Sequence, residues 1–149
     1  MKVLIDADAC PDVHAIVTCA LHFQKEVLLV CDTAHLMSYP GAQTIMVSKG
    51  SDAVDFSLLN RVQKGDLIIT QDYGLAALGL SKQALAVHPN GWTYNETNME
   101  DLLMSRHISK KARQAGHRTK GPAKRTPDMT TKLIQTLTDI FQKALREDL

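Results

Sequence analysis

Five short apolar runs, separated by helical patterns and turns, restrict what this chain can fold into more than any other feature. They lie near residues 2–6, 27–31, 44–48, 66–70 and 84–87. The first, Val3-Leu4-Ile5, is apolar without alternation, as in a strand covered on both faces. Between the runs the period changes. Val13, Ile16, Val17, Ala20 and Leu21 recur at three-and-four spacing behind Pro11, which is tolerated at a helix start. Ser51 is placed to cap a helix to about Arg61, and Tyr73 to Leu80 reads as a short helix. Strands alternating with helices predict an α/β fold with three layers, a mostly parallel five-stranded sheet and helices on both faces.

C-terminal helices follow. His88-Pro89-Asn90-Gly91 is a turn, and Asn98 is expected to cap a helix with Glu100 and Asp101 in its first turn. Residues 116–122 hold three breakers, Gly116, Gly121 and Pro122, and few apolar residues, and read as a loop. Thr126-Pro127-Asp128 starts a closing helix over about 128–147, with Leu133, Ile134, Leu137, Ile140, Phe141, Ala144 and Leu145 as its stripe. A single domain over 1–149 is expected, with a basic segment over about 106–127 between its last two helices.

No apolar run approaches the roughly 18 residues of a membrane span. The start reaches Asp6 too soon for a signal peptide, so the cytoplasm is the expected location, with no membrane partner. Cys10, Cys19 and Cys31 are odd in number and lack C-x-x-C spacing, which argues against a disulfide framework or a zinc site.

Aspartates mark the ends of several runs. Asp6 and Asp8 follow the first; Asp72 follows Leu67-Ile68-Ile69-Thr70-Gln71; Asp52 and Asp55 open the helix after the third. Each has a structural explanation alone: Asp52 can complement a helix dipole, Asp55 can be solvated, and Asp72 can cap the next helix. Strands of one parallel sheet, however, deliver such carboxylates to a single rim, where open α/β sheets bind ligands. If both stay extended, Asp6 and Asp8 point to the same side. Carboxylates crowded this way repel unless a cation sits among them, and oxygen ligands suit Mg²⁺ or Mn²⁺.

The net charge of +1 conceals an asymmetry. Between Asp101 and Asp128 there is no acidic residue, yet Arg106, Lys110, Lys111, Arg113, Arg118, Lys120, Lys124 and Arg125 all fall there. A solvated helix face normally mixes both signs. A one-signed stretch beside an acidic rim suits a polyanionic substrate held through its phosphates. Trp92 and Tyr94 read as a core edge ahead of a base-stacking pair.

The segments Asp6-Ala7-Asp8-Ala9-Cys10-Pro11, Ser48-Lys49-Gly50-Ser51-Asp52-Ala53-Val54-Asp55, Thr70-Gln71-Asp72-Tyr73-Gly74-Leu75-Ala76, His88-Pro89-Asn90-Gly91 and Arg118-Thr119-Lys120-Gly121-Pro122 resemble the YaiI/YqxD family of uncharacterised bacterial proteins. More distantly, the chain resembles PIN-like nuclease domains, including their NYN branch. That resemblance implies a PIN-like fold and a site of Asp6, Asp52 and Asp72, with Asp8 and Asp55 as further metal ligands. Tyr73-Gly74 departs from it, since related nucleases often continue with more acidic residues there.

The expected function is a divalent-metal-dependent nuclease that hydrolyses phosphodiesters, RNA ahead of DNA, using Mg²⁺ or Mn²⁺. Lys49, Arg106, Lys110, Lys111, Arg118, Lys120, Lys124 and Arg125 would contact the nucleic-acid backbone. A catalytically inactive nucleic-acid-binding domain is the first alternative. The second is a phosphatase resembling haloacid dehalogenases, with Asp6 as nucleophile, Asp8 as general acid and Ser48 or Thr70 supplying a hydroxyl. Cys10-Pro11 departs from that family's pattern, and its late paired acids are missing.

Overall fold

The computed structural model describes residues 1–32, 37–48, 53–116 and 125–147; at residues 9, 106–110, 112 and 113 the backbone alone is described. In chain order the elements are β1 (Lys2–Asp6), a 3₁₀ turn (Ala7–Ala9), α1 (Val13–His22), β2 (Glu26–Asp32), β3 (Gln43–Val47), α2 (Ala53–Arg61), β4 (Leu67–Ile69), α3 (Tyr73–Ser81), β5 (Leu85–Val87), α4 (Glu96–Gln114) and α5 (Pro127–Glu147). All five strands pair in parallel in the order β3-β2-β1-β4-β5.

Alternate side chains of each strand enter opposite layers, as the pleat requires. Val3, Ile5, Val27, Leu29, Cys31, Leu67 and Ile69 pack with α1 and with Leu133, Leu137 and Phe141 of α5. Leu4, Leu28, Val30 and Ile68 face the other way, onto Val54 and Leu58 of α2 and Leu75 of α3. A third cluster joins Ala86, Ala76, Tyr94 and Met99, which seats α4 beside α3. Full burial of side chains such as Leu133, Leu137 and Phe141 contributes roughly 1.5–3 kcal/mol each.

Two helix starts differ from expectation. α4 begins at Glu96, because Asn95 rather than Asn98 caps it. The Asn95 side chain accepts from the Asn98 N–H at 2.9 Å, and the Asn98 side chain accepts from the Asn95 N–H at 2.8 Å. That reciprocal pair is a capping box built from two asparagines, with Asn98 at its third position. α1 begins at Val13, two residues beyond Pro11: residues 7–9 form the 3₁₀ turn, Cys10 is extended, and Asp12 takes the N-cap position with φ −115° and ψ 40°.

The docking of α5 depends on Gly91. Its φ is +100°, and an added Cβ would lie 2.7 Å from the Leu133 backbone nitrogen. The Gly91 carbonyl also accepts a hydrogen bond from Thr136 Oγ1 at 2.6 Å. The turn after β5 and the closing helix therefore fit as one unit.

Candidate functional site

From β1 the chain runs outward to β2 and β3, then returns to the other side of β1 for β4 and β5. The carboxyl ends of β1 and β4 thus flank the point where strand order reverses, the usual ligand crevice of open α/β sheets. Asp6 closes β1, and the pairing of Ile5 with Ile69 brings Asp6 beside Thr70. Thr70 is fully buried and organises this corner. Its Oγ1 donates to Asp6 Oδ2 at 2.9 Å and accepts from the Asp72 N–H at 3.0 Å. Its carbonyl accepts from the Tyr94 hydroxyl at 3.0 Å. Asp72 is exposed, and its Oδ1 caps α3 by accepting from Gly74 N–H at 2.8 Å and Leu75 N–H at 3.3 Å.

Asp6 is only 6% exposed. Burial pushes its pKa above the ordinary carboxylate value; the Thr70 hydrogen bond opposes this, and the charges of Asp8 and Asp72 add to it. Its Oδ1 has no hydrogen-bond partner among the described residues. A carboxylate so placed is desolvated, repelled by its neighbours and held by one donor among the described residues.

Asp8 does not continue the strand. It lies in the 3₁₀ turn, half-buried, and accepts from the Asp32 N–H at 3.1 Å. The premise that Asp6 and Asp8 share one side of an extended strand is replaced by a fold-back that carries Asp8 towards the end of β2. Asp32, which ends β2, joins the rim unforeseen, although it shows the same signal of an aspartate after an apolar strand. Asp55 is half-buried in the first turn of α2, and Asp52 lies outside the described residues.

Among the described residues, no three His, Cys, Asp or Glu side chains gather closely enough to hold a metal. Asp6, Asp8 and Asp72 carry carboxylates, the kind of oxygen donor that Mg²⁺ takes, but they do not form a closed ligand set among the described residues. Thr70 offers nothing to a phosphoryl group: its hydroxyl is enclosed and both of its hydrogen-bonding roles are taken. Ser48 is exposed beyond edge strand β3.

Arg106, Lys110, Lys111 and Arg113 lie along the second half of α4, and the Lys111 side chain is exposed. Lys49, Arg118, Lys120 and Lys124 lie outside the described residues. Arg125 spends its guanidinium on the protein. Nε and Nη2 donate to Asp12 Oδ2, Nη1 donates to Asn90 Oδ1 at 2.8 Å, and Nη2 also reaches the Pro89 carbonyl at 2.8 Å. Thr130 Oγ1 donates to the same Asp12 oxygen at 2.6 Å. Burial raises the Asp12 pKa, but the hydrogen bonds from Thr130 and Arg125 and the guanidinium charge outweigh it, so the net shift is downward.

Residues 4–143 match the model of the family described as "Uncharacterized BCR, YaiI/YqxD family". The chain belongs to that family. A UPF0178 protein of Exiguobacterium sibiricum is 50% identical over 126 residues, covering 85% of this chain and 86% of the relative. Another, from Clostridium tetani, is 40% identical over 144 residues, 97% of this chain and 99% of the relative. A crystal structure of Rae1 (YacP) from Bacillus subtilis aligns along the whole of both chains at 13% identity with a TM-score of 0.45, a weak likeness.

Three of the segments that carry the YaiI/YqxD resemblance can be placed: Asp6–Pro11, Thr70–Ala76 and His88–Gly91. They follow β1, β4 and β5, so all three meet at the carboxyl end of this sheet. In this YaiI/YqxD chain the third segment serves packing. His88 stacks on Trp92 with centroids 4.4 Å apart, and its Nδ1 accepts from the Asn90 N–H at 3.0 Å. Burial, with the Arg125 charge, lowers the His88 pKa to about 4 and keeps the ring neutral near pH 7. Trp92 meets Tyr94 edge-on at 4.6 Å, and Tyr94 is buried, as expected of a core edge.

Proposed function

We propose that the carboxyl rim is the site of a divalent-metal-dependent nuclease that hydrolyses phosphodiesters, RNA ahead of DNA. Asp6, Asp52 and Asp72, with Asp8 and Asp55, would hold Mg²⁺ or Mn²⁺. A bound ion of this kind supplies hydroxide from water and neutralises charge on the attacked phosphate. The observation that carries the reading is the place of Asp6: buried at the end of β1, hydrogen-bonded to Thr70, and raised in pKa by burial and by the charges of Asp8 and Asp72. An arrangement this unfavourable for an isolated protein suits one that a cation completes.

The protein's own groups would do three things. Thr70 orients the Asp6 carboxylate and the Asp72 backbone together. Tyr94 holds the Thr70 carbonyl, linking the corner to β5 and α4. Lys49, Arg106, Lys110, Lys111, Arg118, Lys120 and Lys124 would hold the substrate backbone through phosphate contacts that carry no sequence information.

A second reading is a binding domain without cleavage, favoured by one observation: one Asp72 oxygen is already committed to capping α3. The test is cleavage of a labelled single-stranded RNA at low salt with Mg²⁺ or Mn²⁺. Wild type should cut, and Asp72→Asn should lose at least about 100-fold in rate while retaining binding. Binding without cleavage under either ion leaves the second reading. Neither binding nor cleavage defeats both.

A further inference from the structure

Trp92, the chain's single tryptophan, has one side given to packing and another to a cleft. His88 stacks on it with centroids 4.4 Å apart, and Tyr94 meets it at 4.6 Å. His88 and Tyr94 are themselves 6.1 Å apart, so the two subtend nearly a right angle at the indole. Tyr94 thus sits towards the indole's edge, and neither ring opposes the face away from His88. Trp92 lines a cleft of about 470 Å³ with Asn98, Asp101, Leu102 and Ser105, a volume ordinary for small-ligand sites. Those four residues recur at three- and four-residue spacing and so share one face of α4.

The cleft is fixed in place and joined to the acidic rim by short contacts. Asn98 Nδ2 donates to the Thr93 carbonyl at 2.6 Å, which ties the first turn of α4 beside Trp92. Tyr94, against the indole, donates its hydroxyl to the Thr70 carbonyl at 3.0 Å, and Thr70 Oγ1 donates to Asp6 Oδ2 at 2.9 Å. Tyr73, next to Asp72, packs against the same cluster as Trp92. Following these contacts, the indole centre lies within roughly 18 Å of the Asp6 carboxylate, which about five stacked nucleotides span.

The polar groups of the cleft discriminate between bases. Asn98 is spent on backbone groups, whereas Asp101 is exposed. A carboxylate accepts hydrogen bonds and donates none, and it repels phosphate, so it suits a ligand edge made of donors. Guanine alone among the RNA bases has two adjacent donors, N1–H and the N2 amino group, on its Watson–Crick edge. Adenine and cytosine set an acceptor beside their amino donor, and uracil sets carbonyls on both sides of its N–H. Single-stranded RNA is commonly read by stacking on an aromatic ring together with hydrogen bonds to that edge. We propose that the Trp92–Asp101 cleft is a guanine subsite for the RNA substrate, with the base stacked on the indole and its two donors on Asp101. This rests on the nuclease reading above and adds a base preference to phosphate contacts that carry none.

The experiment uses Trp92 as its own reporter. Tryptophan fluorescence of wild type in EDTA is followed during titration with GMP, AMP, CMP and UMP. GMP should quench it saturably, at least about tenfold more tightly than the other three, as one bidentate base contact allows. Anisotropy then compares two labelled oligouridines, one carrying a single central guanosine, and wild type should favour that strand by about tenfold. Asp101→Asn should erase the preference while binding plain oligouridine as well as wild type or better, because a negative charge is gone. As a control, Asp139→Ala removes an exposed acid of α5 and should keep the preference. Asp101→Asn that weakens or tightens both strands equally overturns the subsite, as does a fluorescence response that does not favour GMP. Quenching by GMP without a guanosine preference in RNA overturns its part in substrate binding. Metal-dependent cleavage indifferent to guanosine leaves the nuclease reading standing while the subsite falls. A guanosine preference in a protein that cuts no RNA leaves the subsite to the binding-domain reading and defeats the nuclease alone.

Discussion

Two buried aspartates at opposite ends of the sheet show how placement decides what a carboxylate is for. Asp66 stands before β4 and is 5% exposed; Asp6 ends β1 and is 6% exposed. Asp66 is saturated. Its Oδ1 accepts from the Lys2 N–H at 2.9 Å, and its Oδ2 accepts from the Gln63 N–H at 2.9 Å and pairs with Lys2 Nζ at 2.9 Å. Burial raises its pKa, but those bonds and the Lys2 charge outweigh the effect and hold it low. Asp6 has one donor and two like charges, and its pKa goes up. Equal burial therefore yields a rivet at the amino end and an under-compensated carboxylate at the carboxyl end.

The largest expected effect breaks the rivet. Asp66→Ala should cost about 2–3 kcal/mol, because charged hydrogen bonds are lost and the Lys2 and Gln63 donors lose their acceptor. In a domain of this size that lowers the melting temperature by roughly 5–10 °C. A shift below about 2 °C would mean that the two ends do not differ as described.

Asp6→Asn should go the other way. Without metal, removing a repelled buried charge should raise the melting temperature by about 2–4 °C, corresponding to of order 1 kcal/mol. A loss of stability would show that Asp6 is as structural as Asp66.

Divalent ions should sharpen the contrast. Mn²⁺ or Mg²⁺ at about 100 times its dissociation constant would stabilise wild type by about 2.7 kcal/mol, and at lower saturation by less. Asp66→Ala should keep that increment and Asp6→Asn should lose it, as read by melting with and without the ion. An equal response in all three proteins removes Asp6 from the ligand set.

The smallest effect is the pH dependence. Asp66 is lowered on folding, so its contribution is present above its unfolded pKa of about 3.9 and is lost as pH falls through the folded value. Asp6 is raised, so its contribution is present below about 3.9 and is lost as pH rises through the folded value. Denaturant melts from pH 3 to 7 should give stability differences, wild type minus variant, that rise with pH for Asp66→Ala and fall with pH for Asp6→Asn.

Periodicity alone determined most of the architecture. The apolar runs and the helical stripe of Leu133, Leu137 and Phe141 are local patterns whose burial follows from the period of strand or helix, so five strands and the closing helix were legible. Asp6 and Asp72 were legible as rim residues because a parallel sheet sends every strand end to one side. Tertiary structure decided how those residues differ. The folding back of Asp8, the entry of Asp32, the enclosure of Thr70 and the pairing of Arg125 with Asp12 depend on which strands become neighbours. Asp12 and Arg125 are 113 residues apart in the chain, and Asp6 and Thr70 are 64 apart. A carboxylate's pKa is set by burial and by its neighbours, so residues as alike in sequence as Asp6 and Asp66 acquire opposite shifts only once the sheet has brought its distant segments together.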